Sequence, residues 1–144
     1  MPVHVRVGRV AAIDLGKARV GVALSDELGV CAHPRPPLDG RNRRALLEAL
    51  TALVREEGVT RFLVGVPLEL DGREGPAARK ALGFAQALAD ATRVEVELID
   101  ERLSTVEASR RLREGGVDAR RQKPRVDGAA AAVLLQSWLD SRSG

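Results

Sequence analysis

The feature that most constrains the fold is a change of apolar period along the chain. Up to Leu24 the apolar residues alternate or run together over short stretches, the habit of strands. From Leu46 onward the spacing switches between helical and strand-like, so helices and strands take turns. A chain with this pattern must lay its strands in one sheet and cover that sheet with helices.

Val5 to Ile13 reads as a first strand ending at Asp14. Leu15 to Ala18 is a turn. Val20, Val22 and Leu24 alternate with Gly21, Ala23 and Ser25, a second strand closing a hairpin. A third short strand is expected from Val30 to Ala32, and the proline-rich His33 to Gly40 reads as irregular. Leu46, Leu47, Leu50, Leu53 and Val54 have helical spacing, with Gly58 as the stop. Phe62 to Val66 is a short buried strand, and Leu68 to Gly75 a loop. Ala78, Ala81, Leu82, Ala85, Leu88 and Ala89 mark a second helix whose small residues suit close packing on a sheet. Val94, Val96 and Leu98 alternate with Glu95 and Glu97 as a half-buried strand, which ends in two acids, Asp100 and Glu101. Ser104 and Glu107 have capping-box spacing, so a helix is expected from about Val106 to Arg113. Gly115 to Arg125 is a basic loop. Ala129 to Leu139 makes the last helix, with Asp127 in or just before its first turn. An antiparallel meander followed by β-α-β units predicts an α/β fold: a mixed five-stranded sheet flanked by helices, with right-handed crossovers.

The 144 residues are expected to form one domain, 1–144. Phe62, Phe84 and Trp138 are the only aromatics, so the core must be aliphatic, and Trp138 is read as part of it. The single cysteine, Cys31, excludes a disulfide framework and a Cys-rich zinc site, and reads as a small buried hydrophobe. No apolar stretch approaches membrane-spanning length, and the N-terminus lacks the apolar core of a signal peptide, so a soluble cytoplasmic protein is expected. A net charge of +3 permits nucleic-acid binding without demanding it. His4 and His33 stand near no acid or cysteine cluster and read as surface residues.

Three acids stand out by position: Asp14 ends strand one, Glu101 ends the last strand, and Asp127 starts the final helix. If strands one and five lie side by side, the first two meet at one sheet edge, where ligands of α/β sheets usually bind. Hard cations such as Mg²⁺ and Mn²⁺ prefer such oxygen donors. Two of them, about 4 Å apart, can activate a water and stabilise a leaving oxygen in phosphodiester cleavage. Each acid also has an ordinary reading alone: a turn residue, a solvated strand end and a helix cap.

Four segments, in order, resemble the YqgF family of Holliday-junction-resolvase-like proteins. They are Asp14-Leu15-Gly16 running on to Arg19 through Ala23, Gly65 through Leu68 with Asp71-Gly72, Asp100 through Thr105, and Val126-Asp127 with Ala129 to Ala131. Asp100 to Thr105 is the most specific of them. The resemblance implies a ribonuclease H-like fold and metal-dependent phosphodiester hydrolysis, with Asp14, Glu101 and Asp127 as catalytic metal ligands for Mg²⁺ or Mn²⁺. It implies a nuclease of structured RNA, processing the 5′ end of pre-16S rRNA in ribosome biogenesis. Departures are small: Leu70 stands where the family often has Met, Lys17-Ala18 replaces a commoner Thr-Lys, and Gly128 follows Asp127 where Ser is frequent.

Arg19, Arg102, Lys123 and Arg125 are the candidate nucleic-acid contacts. Lys123 and Arg125 belong to the basic loop just before Asp127 and could clamp a backbone phosphate. With no aromatics among these bases, affinity should come from phosphates and fall with salt. Gly65 to Gly75 lacks the Gly-Lys-Ser/Thr ending of a phosphate-binding P-loop, and reads as a turn that also borders the site. The expected partners are structured RNA, branched DNA and ribosomal precursor particles, with no membrane; the protein is a monomer or homodimer. Two other readings stay open: a DNA Holliday junction resolvase, and a nucleic-acid-binding factor that does not cleave. The ATPases that share an Asp-x-Gly hairpin need two such domains, and this chain has room for one.

Overall fold

Five strands lie in one sheet in the order β3-β2-β1-β4-β5. The structure is a computed structural model, and it describes residues 8–103 and 128–143. The strands are β1 (Arg9–Leu15), β2 (Arg19–Ser25), β3 (Ala32–Asp39), β4 (Val59–Val66) and β5 (Glu95–Asp100). The helices are α1 (Arg43–Glu57), α2 (Pro76–Thr92) and α3 (Ala129–Ser143). β1, β2 and β3 form the antiparallel meander, while β4 and β5 join parallel to β1 and to each other. The helix expected near Val106 to Arg113, its cap residues and the basic loop lie outside the described residues, as does His4.

Strand alternation divides the core into two layers. Ala11, Ile13, Val22, Phe62 and Val64 face α1 and α2, together with Leu50, Phe84 and Leu88. Val10, Ala12, Ala23 and Leu63 face α3 and meet Ala130, Ala131, Leu134 and Leu135. α1 begins at Asn42, whose side chain accepts from Ala45 N, and stops at Gly58 in the left-handed conformation. On the other face, α3 starts almost in contact with the sheet. A Cβ on Gly128 would lie 2.9 Å from Pro34 Cβ, 3.1 Å from Arg35 O and 3.3 Å from Val22 O. Further along α3, the Gln136 amide accepts from Ala32 N and donates to Val30 O, both at 2.9 Å, tying the helix to the start of β3.

Four expectations need correction. Val30 and Cys31 do not begin a strand, because their N–H groups donate to the Asp26 carboxylate and close a turn. The strand comes later and runs through Pro34, Pro36 and Pro37, because an edge strand tolerates missing donors. Cys31 is exposed rather than buried, because it sits at that turn. Trp138 is half-buried at the rim of the α3 layer. Its Nε1 donates to Glu97 Oε2 at 3.1 Å, and the Arg142 guanidinium lies 4.2 Å from its ring centre. Glu97 therefore faces α3 and also pairs with Arg61, while Leu98 on the other face of edge strand β5 remains 47% exposed.

Candidate active site

β1, β4 and β5 are mutually parallel, so their C-terminal ends share one edge of the sheet. β1 and β5 do not touch, because β4 lies between them. The pair Ile13 and Val64 brings Asp14 level with Gly65, and Gly65 pairs in turn with Ile99. Alternation places Asp14 and Gly65 on the face of Ala12 and Leu63, the α3 face.

After Asp100 the chain turns into a short 3₁₀ segment, Glu101–Leu103. Glu101 folds back over β4 there and is only 6% exposed. Its carboxylate takes the place that a side chain on Gly65 would need: a Cβ at Gly65 would lie 2.6 Å from Glu101 Oε1 and 3.2 Å from its Cγ and Cδ. Asp14, half-buried, and Glu101 line the same pocket of about 250 Å³ from opposite sides of β4. Among the described residues no group of three or more His, Cys, Asp or Glu could hold a metal ion. Asp127, the third acid expected at the site, lies outside the described residues, and so do Lys123 and Arg125.

Arg102, a candidate nucleic-acid contact, is also bonded within the fold. Its Nε and Nη2 donate to the two Asp100 carboxylate oxygens at 3.1 and 2.8 Å, and its Nη1 donates to Leu70 O at 3.2 Å. Its backbone N–H also donates to Asp100 Oδ1. The side-chain bond from Arg102 is the main reason Asp100 ionises below the usual carboxylate range. Arg102 thus fastens the β4–α2 loop to the end of β5, next to Glu101. Gly65 and Pro67, at the end of β4 and the start of that loop, line the acidic pocket, while Asp71 and Gly72 shape the loop itself. Arg19 is exposed at the start of β2, on the strand that follows Asp14.

Three residues at the pocket take roles that the sequence did not assign to them. Gly65 is the seat of Glu101. Lys17, in the β1–β2 turn, and Lys80, on α2, line the same pocket. Their shared signal was rarity, since the chain has 20 arginines and only three lysines, and Lys17 also directly follows Asp14-Leu15-Gly16.

The family model described as "RuvX: Holliday junction resolvase" matches residues 8–141. A protein of Anaeromyxobacter sp. (strain Fw109-5) named "Putative pre-16S rRNA nuclease" is 52% identical over 134 residues, covering 93% of this chain and 98% of that one. A protein of the same name from Myxococcus xanthus is 43% identical over 133 residues, covering 92% of this chain and 88% of that one. Among solved structures, Thermus thermophilus RuvC in complex with a Holliday junction superposes with a TM-score of 0.58 at 18% identity, covering 95% of this chain and 96% of that one. The fowlpox virus Holliday junction resolvase gives 0.55 at 13% identity, covering 92% and 99%. These two likenesses concern the fold, which is the expected ribonuclease H-like one. Matched over nearly its whole length by the family model and by relatives of its own size, the chain belongs to the RuvX family.

Proposed function

We propose that residues 1–144 work as one divalent-metal-dependent endonuclease domain, cleaving structured RNA at the 5′ end of pre-16S rRNA. The observation that carries this reading is the meeting of Asp14 and Glu101 in one pocket across Gly65. The names of the relatives support the RNA substrate. Work on that substrate would place the protein in the cytoplasm, on ribosomal precursor particles.

The residues fit a hard cation. Both donors are carboxylates, and the missing side chain at Gly65 leaves a cradle for one of them. Asp14 and Glu101, with Asp127, would hold Mg²⁺ or Mn²⁺. Support for Asp127 comes from its neighbour Gly128, which packs against Val22, the strand partner of Ile13. When bound, the cation supplies an activated water and charge neutralisation for hydrolysis of the phosphodiester. The chain's own part is to hold its acids still. Glu101 is fixed by burial, and the turn that carries it is fixed by the Asp100–Arg102 pair. Arg19, Arg102, Lys123 and Arg125 are the proposed contacts to the nucleic-acid backbone.

Cleavage of a DNA four-way junction is the second reading, favoured by the description of the matching family. A side-by-side assay tests both. Precursor rRNA and a four-way DNA junction are incubated with Mn²⁺ and either wild type or Asp14→Asn. We expect cleavage of the RNA by wild type alone. Junction cleavage without RNA cleavage would select the second reading. Equal products from both proteins would remove the site.

A further inference from the structure

We infer that Lys17 and Lys80 bind backbone phosphates of the nucleic-acid strand that enters the acidic pocket. The inference rests on the nuclease reading above and deepens it.

The two lysines reach the pocket from different elements. Lys17 belongs to the turn directly after β1, and Lys80 to the second turn of α2. With Asp14 and Glu101 they give the pocket a lining that includes two acids and two lysines. That pairing suits a phosphodiester: the acids would hold the cations, and the ammonium groups would meet the phosphate oxygens.

Several of the described arginines are used differently. Arg9, Arg35, Arg41, Arg61, Arg73 and Arg102 each pair with a carboxylate. Lys17 and Lys80 are exposed and have no such bridge among the described residues. Arg102, the cation nearest Glu101 in sequence, is bonded to Asp100 and Leu70. Lys17 and Lys80 are the cationic residues that line the pocket itself. An ammonium on a flexible stem also suits a site where the phosphate must settle against the acids, since it imposes no bidentate plane.

The alternative is that both lysines only keep the surface solvated. Salt dependence separates the two. Lys17→Met and Lys80→Met are each made in the Asp14→Asn background, and binding of an RNA stem-loop is measured in EDTA over a range of salt. Each lysine that meets a phosphate should lower the slope of log Kd against log salt by about 0.9 on a duplex. The same contact corresponds to about eightfold weaker binding near 0.1 M salt. Lys80→Arg should restore the slope. In the cleaving protein, Lys80→Met should raise KM more than it lowers kcat.

Unchanged slopes and affinities in both folded Met variants, beside a wild type that still cleaves, would overturn this inference and leave the nuclease standing. A wild type that neither binds nor cleaves RNA or junction DNA would overturn both.

Discussion

Glu101 lies where the side chain of Gly65 would be. The two residues are far apart in sequence, Gly65 on β4 and Glu101 in the 3₁₀ segment just after β5, yet a Cβ on one would approach the carboxylate oxygen of the other to 2.6 Å. One residue is absent in side chain so that the other can be placed.

Gly65→Ala should therefore displace Glu101 and leave the sheet intact. A shift of about 1 Å in a catalytic group can cost roughly a hundredfold in rate. We expect a cleavage loss of that order, with a urea midpoint close to wild type. A loss of activity in step with a loss of stability would mean that the strand, not the carboxylate, had been disturbed.

Removing either acid should be more severe. Asp14→Asn and Glu101→Gln keep the shape of each side chain and delete its charge. Loss of metal stabilisation, worth several kcal/mol of transition-state energy, corresponds to roughly a thousandfold or more in kcat. Circular dichroism should remain native, EDTA should silence the wild type, and Mg²⁺ or Mn²⁺ should restore it. Wild-type activity that survives EDTA would exclude the metal.

Asp100 links the site to pH. Arg102 lowers its folded pKa below an unfolded value of about 3.9. The stabilisation is therefore complete above the unfolded value and fades as pH falls through the folded one. In acid titrations from pH 6 to pH 2, wild type should lose stability more steeply than Asp100→Asn, which lacks the titrating group. Hydrogen exchange around Leu70 should quicken in the Asn variant at neutral pH, since Arg102 would lose its carboxylate partner. Parallel acid curves would show that the pair contributes nothing to folding.

Gly128→Val tests how α3 is seated. The added side chain would press on Pro34, Arg35 and Val22. Overpacking of this kind typically costs about 1–3 kcal/mol, so the urea midpoint should fall. If the melt is unchanged, the helix start can move away from the sheet.

Much of the fold was legible because burial leaves a period. The spacing of Leu46, Leu50 and Leu53 and the compact run Phe62 to Val66 name their elements directly, and the structure has α1 and β4 there. β3 was hidden because proline marks irregular backbone in most contexts, and nothing local in the sequence says that a segment will be an edge. The strand order was hidden for a related reason: no pattern in β1 or β5 records that β4 will come between them. Asp14 and Glu101 were visible as strand ends. The burial of Glu101 was not, since it depends on a glycine on another strand. Lys17 read as a turn residue and Lys80 lay within a predicted helix, and only the pocket joins them to the acids.

The prolines of β3 set a limit on how copies of this molecule can assemble. A fibre built by strand addition needs two edges that each offer a row of donors and acceptors. One outer strand here lacks the N–H at Pro34, Pro36 and Pro37. Donors missing from that edge disfavour the addition of a further strand there, and with it the growth of a filament through the sheet.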